Sequence, residues 1–316
     1  LLLCVCMLSG CAGSGDGSDE KADGIKMYLT VSTADTFRQT IIDAAQKEAD
    51  KVGAELVVKD AEGSLENQLA HIKEAVDGGY NVILCNPVDV DTTLQLQVAA
   101  GDLPIVFFNS SPSEERLKAD KYVFVGSNEE EAGTYQAEYI LDKYASKDTI
   151  NVAIFKGAKT HSATLGRTNA LKHTLNASGK KINYVFEDNA DWSTDTAKQY
   201  FELFLKTGQP VDAVASNNDD MALGVVQACE ENSIDFNDLP IIGVDATENG
   251  CKAIADGKMA FTIYQSGSGQ GEYMIKAAAR LAQGKSLKGL KYLSDDQKYV
   301  WVPFEKVDKS NVAQYQ

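Results

Sequence analysis

Residues 25–53 read I-K-M-Y-L-T-V-S-T-A-D-T-F-R-Q-T-I-I-D-A-A-Q-K-E-A-D-K-V-G. The first seven are mostly apolar and rich in β-formers, which predicts a short strand over Ile25–Val31. The spacing then changes. Phe37, Ile41, Ala45 and Ala49 recur every fourth residue, which predicts a helix over Thr36–Val52 with one face against a core. Gly53 is placed to end it, because a residue without Cβ can turn left-handed and satisfy the last carbonyls. Strand, short connection and helix make one βα unit.

The remaining chain repeats that unit. A first series runs through a helix predicted over Glu129–Tyr144. A second begins at Ile150–Lys156 and ends in a long helix predicted over Gly269–Gly284. Strands alternating with helices of this length form parallel sheets, and two successive series predict two doubly wound α/β lobes. In such sheets ligands bind beyond the carboxyl ends of the strands.

The chain has 316 residues, enough for two domains. Acidic residues outnumber basic ones 46 to 30, a formal net charge of −16. That balance repels polyphosphate and argues against nucleic-acid binding. No window in the body reaches the ~18 apolar residues of a membrane span. Six cysteines are too few for a disulfide scaffold. Cys85, in V-I-L-C-N-P, reads as a small buried hydrophobe. A bridge between Cys229 and Cys251 stays open.

The amino terminus carries an address. Leu8-Ser9-Gly10-Cys11 resembles a bacterial lipobox, in which cleavage precedes a Cys that takes the lipid. The Gly-, Ser- and Asp-rich stretch up to Asp23 then reads as a flexible tether. The expectation is an extracytoplasmic protein anchored through Cys11.

Polar and aromatic groups gather where strands are predicted to end. Asp35 and Phe37 follow the first strand, and Asn109 follows I-V-F-F. His161 and Arg167 follow I-F-K, and Trp192 follows V-F-E. Asn217, Asn218 and Asp219 follow V-A-S, Asp245 follows I-G-V, and Gln265 follows T-I-Y. Any one of these could be an ordinary helix cap or turn former. Seven strand ends supplying them across both lobes make a pattern. Carboxylates, amides and a guanidinium serve hydroxyl groups, and Phe37 and Trp192 offer flat faces for C–H patches. That mixture suits a polyol ring. Trp192, in N-A-D-W-S-T, has no apolar sequence neighbours to bury it, whereas Trp301, in Y-V-W-V-P-F, reads as packing. Arg167→Ala and Asp245→Ala are expected to remove affinity and leave the fold intact.

The chain resembles the type I periplasmic binding proteins for monosaccharides, the ribose and galactose/glucose receptors of ABC transporters. The resemblance covers Ile25 to the end and rests on A-A-Q-K-E-A-D-K (44–51), N-P-V-D (86–89), L-P-I-V-F-F-N (103–109), N-N-D-D-M-A-L-G (217–224), G-V-D-A-T (243–247) and V-P-F-E-K-V-D (302–308). The F-F-N segment, the His161–Arg167 spacing and the V-P-F…V-D ending resemble the galactose/glucose branch most. The resemblance implies a sugar clamped between two lobes that three crossovers join. The lipobox reading makes 1–10 a partial signal peptide and 11–24 a lipidated Cys and tether, and the resemblance divides the rest into a first lobe (25–128 plus 266–301) and a second lobe (129–265 plus 302–316). The resemblance also implies ligand contacts from Asp35, Phe37, Asn109, His161, Arg167, Trp192, Asn218, Asp245 and Gln265.

Three positions depart from that pattern. Ser110 replaces a basic residue of the galactose branch, Ala163 replaces a carboxylate, and Arg38 stands where ribose receptors carry Phe. Arg38 and Ser110 are secondary candidates. The resemblance further implies a monomer that delivers its ligand to a membrane permease, with a chemoreceptor or sensor kinase as a compatible second partner. The calcium loop of galactose receptors corresponds to Ala145–Thr149, whose single carboxylate cannot supply 6–8 oxygens. No nucleophile elbow or P-loop is present, and Gly267-Ser268-Gly269-Gln270-Gly271 lacks dinucleotide spacing. His71 and His173 read as helix-surface residues. No catalytic residue, cofactor or metal is expected.

Overall fold

Strand, connection and helix repeat along residues 24–316, which the computed structural model describes. In chain order the first series is β1 (Lys26–Val31), α1 (Thr36–Val52), β2 (Glu55–Asp60), α2 (Leu65–Asp77), β3 (Val82–Cys85), α3 (Thr93–Ala100), β4 (Ile105–Phe108) and β5 (Tyr122–Gly126). The second is α4 (Glu129–Lys143), β6 (Thr149–Lys156), α5 (Ser162–Ala177), β7 (Lys181–Asn189), α6 (Thr194–Leu205), β8 (Ala213–Ser216), α7 (Asp219–Glu231), β9 (Ile241–Ile242), α8 (Glu248–Ala255) and β10 (Phe261–Gln265). The chain closes with α9 (Gly267–Ala282), β11 (Tyr299–Trp301) and β12 (Phe304–Asp308). Cys11 and the tether lie outside the described residues.

The strands form two six-stranded sheets, ordered β11-β5-β4-β3-β1-β2 and β12-β10-β9-β8-β6-β7. Every pairing between strands is parallel except that of β12, which runs antiparallel to β10. β12 was absent from the expected strands. Its F-E-K-V-D sequence buries only Phe304 and Val307, and the charged residues between them suit an edge strand more than a buried run. Both orders reverse direction once, beside β1 in the first sheet and beside β6 in the second. Crevices open at such switch points, beyond the strands' carboxyl ends.

Each sheet is covered on both faces. Phe107 and Phe108 show why I-V-F-F is continuously apolar: successive side chains point to opposite faces, and each meets a different buried cluster. The chain passes between the sheets three times, from β5 into α4, from β10 into α9 and from β11 into β12. α9 starts two residues before its expected start because Ser266 caps it, accepting from the Gly269 amide at 3.0 Å. Cys229 and Cys251 are both buried and free, so the bridge left open by the sequence is not formed. Among the described residues, no helix is long and apolar enough to cross a membrane.

Candidate functional site

A cavity of about 300 Å³ lies where the carboxyl ends of the two sheets face each other. Asp35, Phe37, Arg38 and Asn109 line it from the first lobe, and His161, Arg167, Trp192, Asn218, Asp245 and Gln265 from the segments that form the second sheet. The structure thus brings the nine primary candidates and Arg38 together around one space. Ser110 is buried beside that space rather than in its lining, its Oγ accepting from the Ser162 amide at 3.4 Å.

On the first lobe Asp35 caps α1. Its Oδ1 accepts from the Arg38 amide at 2.7 Å, and its other oxygen pairs with the Arg38 guanidinium. Carboxylate and guanidinium therefore reach the cavity as a preformed pair. Phe37 packs its ring partly against the first-lobe core. Asn109 follows β4 with φ of 59°, a left-handed conformation that Asn tolerates better than most residues.

Across the cavity His161 caps α5. Its Nδ1 lies 3.1 Å from the Ala163 amide, which it can only accept from, so the ring proton sits on Nε2. That nitrogen faces the Asn109 Oδ1 at 3.3 Å, a hydrogen bond between the lobes. Burial, followed by Arg38 and Arg167, holds the imidazole well below its ordinary pKa. His161 is therefore a neutral donor here.

Trp192 is half-buried, against the expectation that nothing covers it. Its ring packs on the second-lobe core, meets the His161 ring edge-on with centroids 5.3 Å apart and lies over Gly157. A Cβ at Gly157 would fall 2.0 Å from Trp192 Cζ2, so only glycine lets the ring settle there. These neighbours are remote in sequence, which is why the local polar context misled.

Arg167 is the most enclosed charge in the cavity lining. Its side chain is 3% exposed, and Nε binds Glu129 Oε2 at 2.6 Å. One Nη donates to the Asn217 carbonyl and the other reaches Gln265 Oε1 at 3.3 Å. Gln265 Nε2 in turn donates to Glu129 Oε1 at 3.3 Å. Burial alone would lower the Arg167 pKa, but Glu129 and Asp245 outweigh it and raise it. Glu129 opens α4 just after the first crossover, and Gln265 ends β10 just before the second. The ion pair therefore ties two crossovers together. Sequence reading missed Glu129 because E-E-E at a helix start looks like a solvated first turn. Gly133 brings the two helices close enough, since a Cβ there would meet the Arg167 carbonyl at 2.1 Å.

Asp245 sits on strained backbone, with φ of 114° and Ala246 at 51°. Asp219 holds that loop from below. Its carboxylate accepts from Thr247 N at 2.8 Å and Thr262 Oγ1 at 2.6 Å, while its own amide donates to the Val244 carbonyl. Burial pushes Asp219 up to about 7 despite those hydrogen bonds. Asp245 itself accepts no hydrogen bond from the described residues, and its closest cation is Arg167 Nη1 at 3.7 Å. Burial raises its pKa well above the carboxylate range, Arg167 opposing and Asp219 adding to the shift. Asn218 caps α7 by accepting from the Met221 amide at 3.0 Å, which leaves its carboxamide nitrogen for the cavity.

His71 and His173 lie outside this lining. His71 is not a plain surface residue: its Nδ1 lies 3.1 Å from Thr30 Oγ1. Among the described residues, no group of three His, Cys, Asp or Glu is arranged to hold a metal ion.

Residues 27–286 match the family described as periplasmic binding protein domain. A Rhizobium meliloti protein whose name assigns it to rhizopine binding is 30% identical over 267 residues, 84% of this chain and 83% of its own. The D-galactose/methyl-galactoside binding periplasmic protein of Haemophilus influenzae is 26% identical, over 97% of this chain and 95% of its own. Among solved structures, an ABC transporter solute binding protein from Bacillus halodurans with bound myo-inositol superposes with a TM-score of 0.80. It is 27% identical, and the match covers 93% of this chain and 98% of that one.

Proposed function

Because this chain belongs to the periplasmic binding protein domain family, a family of solute-binding proteins, we propose that it captures one monosaccharide or ring polyol of similar size between its lobes, outside the cytoplasm, and delivers it to an ABC transporter permease. The observation that carries this reading is the cavity lined from both lobes by carboxylates, amides, guanidiniums and two aromatic rings. Hydrogen bonds to charged groups are worth about 1.5–3 kcal/mol each. A few support micromolar affinity, about −8 kcal/mol. A solute touching both walls favours the closed arrangement of the lobes.

A cyclitol is the second reading. The Bacillus halodurans relative holds myo-inositol, and Ala163 presents a methyl group to the cavity where the galactose branch has a carboxylate. A calorimetric panel of pentoses, hexoses and inositols tests both. The correct ligand should change intrinsic fluorescence saturably, because Trp192 lines the cavity. Trp301 does not line it and instead stacks on Tyr299 at 4.5 Å. Trp192→Phe should lose most of the signal and Trp301→Phe should keep it. A ligand that binds by calorimetry but is reported only by Trp301 would remove Trp192 from the site.

The anchor at Cys11 belongs to this reading. Cys11→Ser should block lipid attachment and release the protein from the membrane fraction. A variant processed and membrane-bound like the parent would end the lipoprotein reading.

A further inference from the structure

Two short segments, 109–111 and 161–162, meet across the lobes. β4 ends at Phe108, and Asn109 begins a tight turn in which the Ser110 amide donates back to the Phe108 carbonyl at 2.6 Å. Ser162 is the first residue of α5, a position whose amide has no partner within its own helix. It finds one on the other lobe. Ser162 N donates to Ser110 Oγ at 3.4 Å, and Ser162 Oγ accepts from the Ser111 amide at 2.8 Å. The His161–Asn109 hydrogen bond lies alongside. Ser110, Ser111 and Ser162 are all absent from the lining of the cleft cavity. Ser111 and Ser162 border instead a neighbouring space, together with Glu129 of the first crossover and Trp301 at the start of the third.

We propose that Ser110, Ser111 and Ser162 form a clasp that favours closure of the lobes without touching the solute, and that they set its affinity as positioning residues. The proposal rests on the reading that the lobes close around a solute, and it moves Ser110 from a solute contact to a lobe contact. When the lobes part, the Ser111 amide exchanges the Ser162 hydroxyl for water, and the net worth of that hydrogen bond is lost. The clasp makes the same contacts whichever solute is present, and makes them without one. It therefore shifts the closing equilibrium by the same amount for every solute, whereas the groups lining the cleft shift it only for a solute they fit. Affinity and residence time rise with the clasp, and selectivity does not.

The test places spin labels at Glu66→Cys and Asp195→Cys, exposed positions in the first turns of α2 and α6 on opposite lobes. Cys85, Cys229 and Cys251 are buried, which directs the labels to the introduced thiols. Without solute, Ser110→Ala with Ser162→Ala should move the inter-label distances toward longer separations. Ser162→Ala alone should give part of that shift, and Ser162→Thr, which keeps the hydroxyl, should give none. Melting temperatures report that the variants are folded. myo-Inositol, glucose and galactose are then titrated into the parent and the double variant. The Kd of each solute that binds the parent should rise by one common factor, about 3- to 30-fold, mostly through faster release. Distances unchanged in the double variant overturn the clasp, whether or not a solute binds. Losses of affinity that differ from solute to solute overturn it as well, because they make these serines solute contacts. If the distances shift and none of the three solutes binds the parent, the clasp stands and the reading of a monosaccharide or ring polyol falls.

Discussion

Arg167→Ala is expected to abolish ligand binding and also to destabilise the protein by about 3–5 kcal/mol, the usual cost of removing one partner from a buried ion pair. The second half of that outcome departs from the expectation that the fold would be untouched. Glu129 is only 8% exposed and holds Arg167 Nε at 2.6 Å. Without the guanidinium its charge stays buried, with Gln265 at 3.3 Å as its remaining side-chain partner. The Asn217 carbonyl loses its donor at the same time. Replacing both charges, Arg167→Met with Glu129→Leu, should recover much of the stability and none of the binding, because apolar side chains of similar size can substitute for a buried pair. Urea unfolding read beside calorimetry separates these effects. A midpoint unchanged in Arg167→Ala would mean that the pair contributes nothing to the fold.

Asp245→Asn should act in the opposite direction on stability. The Asp245 carboxyl titrates well above its ordinary value because it is buried without a donor. Its unfolded value is about 3.9. Between that value and its folded one, the unfolded chain is ionised while the native protein keeps the proton. Native stability therefore falls as pH rises through this interval. Asp219, pushed up to about 7, adds a loss of the same sign between about pH 4 and 7. Asp245→Asn removes its own share, so the ligand-free variant should melt higher than the parent at neutral pH and lose less stability on going from pH 4 to 7. Ligand affinity should fall about 10- to 100-fold, the equivalent of one hydrogen bond to a charged group. An unaltered affinity would place the ligand elsewhere, and a lower melting temperature would mean that the carboxylate has a donor in solution.

These two outcomes mark how far the sequence could be read. The helix Thr36–Val52 was legible to the residue, because apolar spacing, an Asp at its start and a Gly at its end agree, and Gly53 takes φ of 80°. The two-lobed parallel fold was legible from alternation alone. The candidates around the cavity were legible because a parallel sheet sends its ligand contacts to one end, so a polar residue just after an apolar run is informative. Partners that depend on distant packing were not legible. Nothing local marks Glu129 as the counterion of Arg167, 38 residues away. Nor does anything local mark Asp219 as the anchor of the Asp245 loop, 28 residues on at Thr247. Trp192 failed for the same reason, since Gly157 and His161 cover it from another strand end.

The three passages between the sheets bear on the order in which the molecule can be built. A ribosome releases the chain from its amino end, and domains laid out one after another can settle one after another. This chain cannot proceed that way. The first sheet acquires its edge only when Tyr299–Trp301 pairs with β5, and the second only when Phe304–Asp308 pairs with β10. Helix α9, which fills the first-lobe core beside α1, arrives after the whole of the second series. Both halves therefore wait for the same final segment and reach completion together. Neither can be cut out as one continuous fragment, and from the second series until Tyr299–Asp308 emerges a nascent chain carries two unfinished edges.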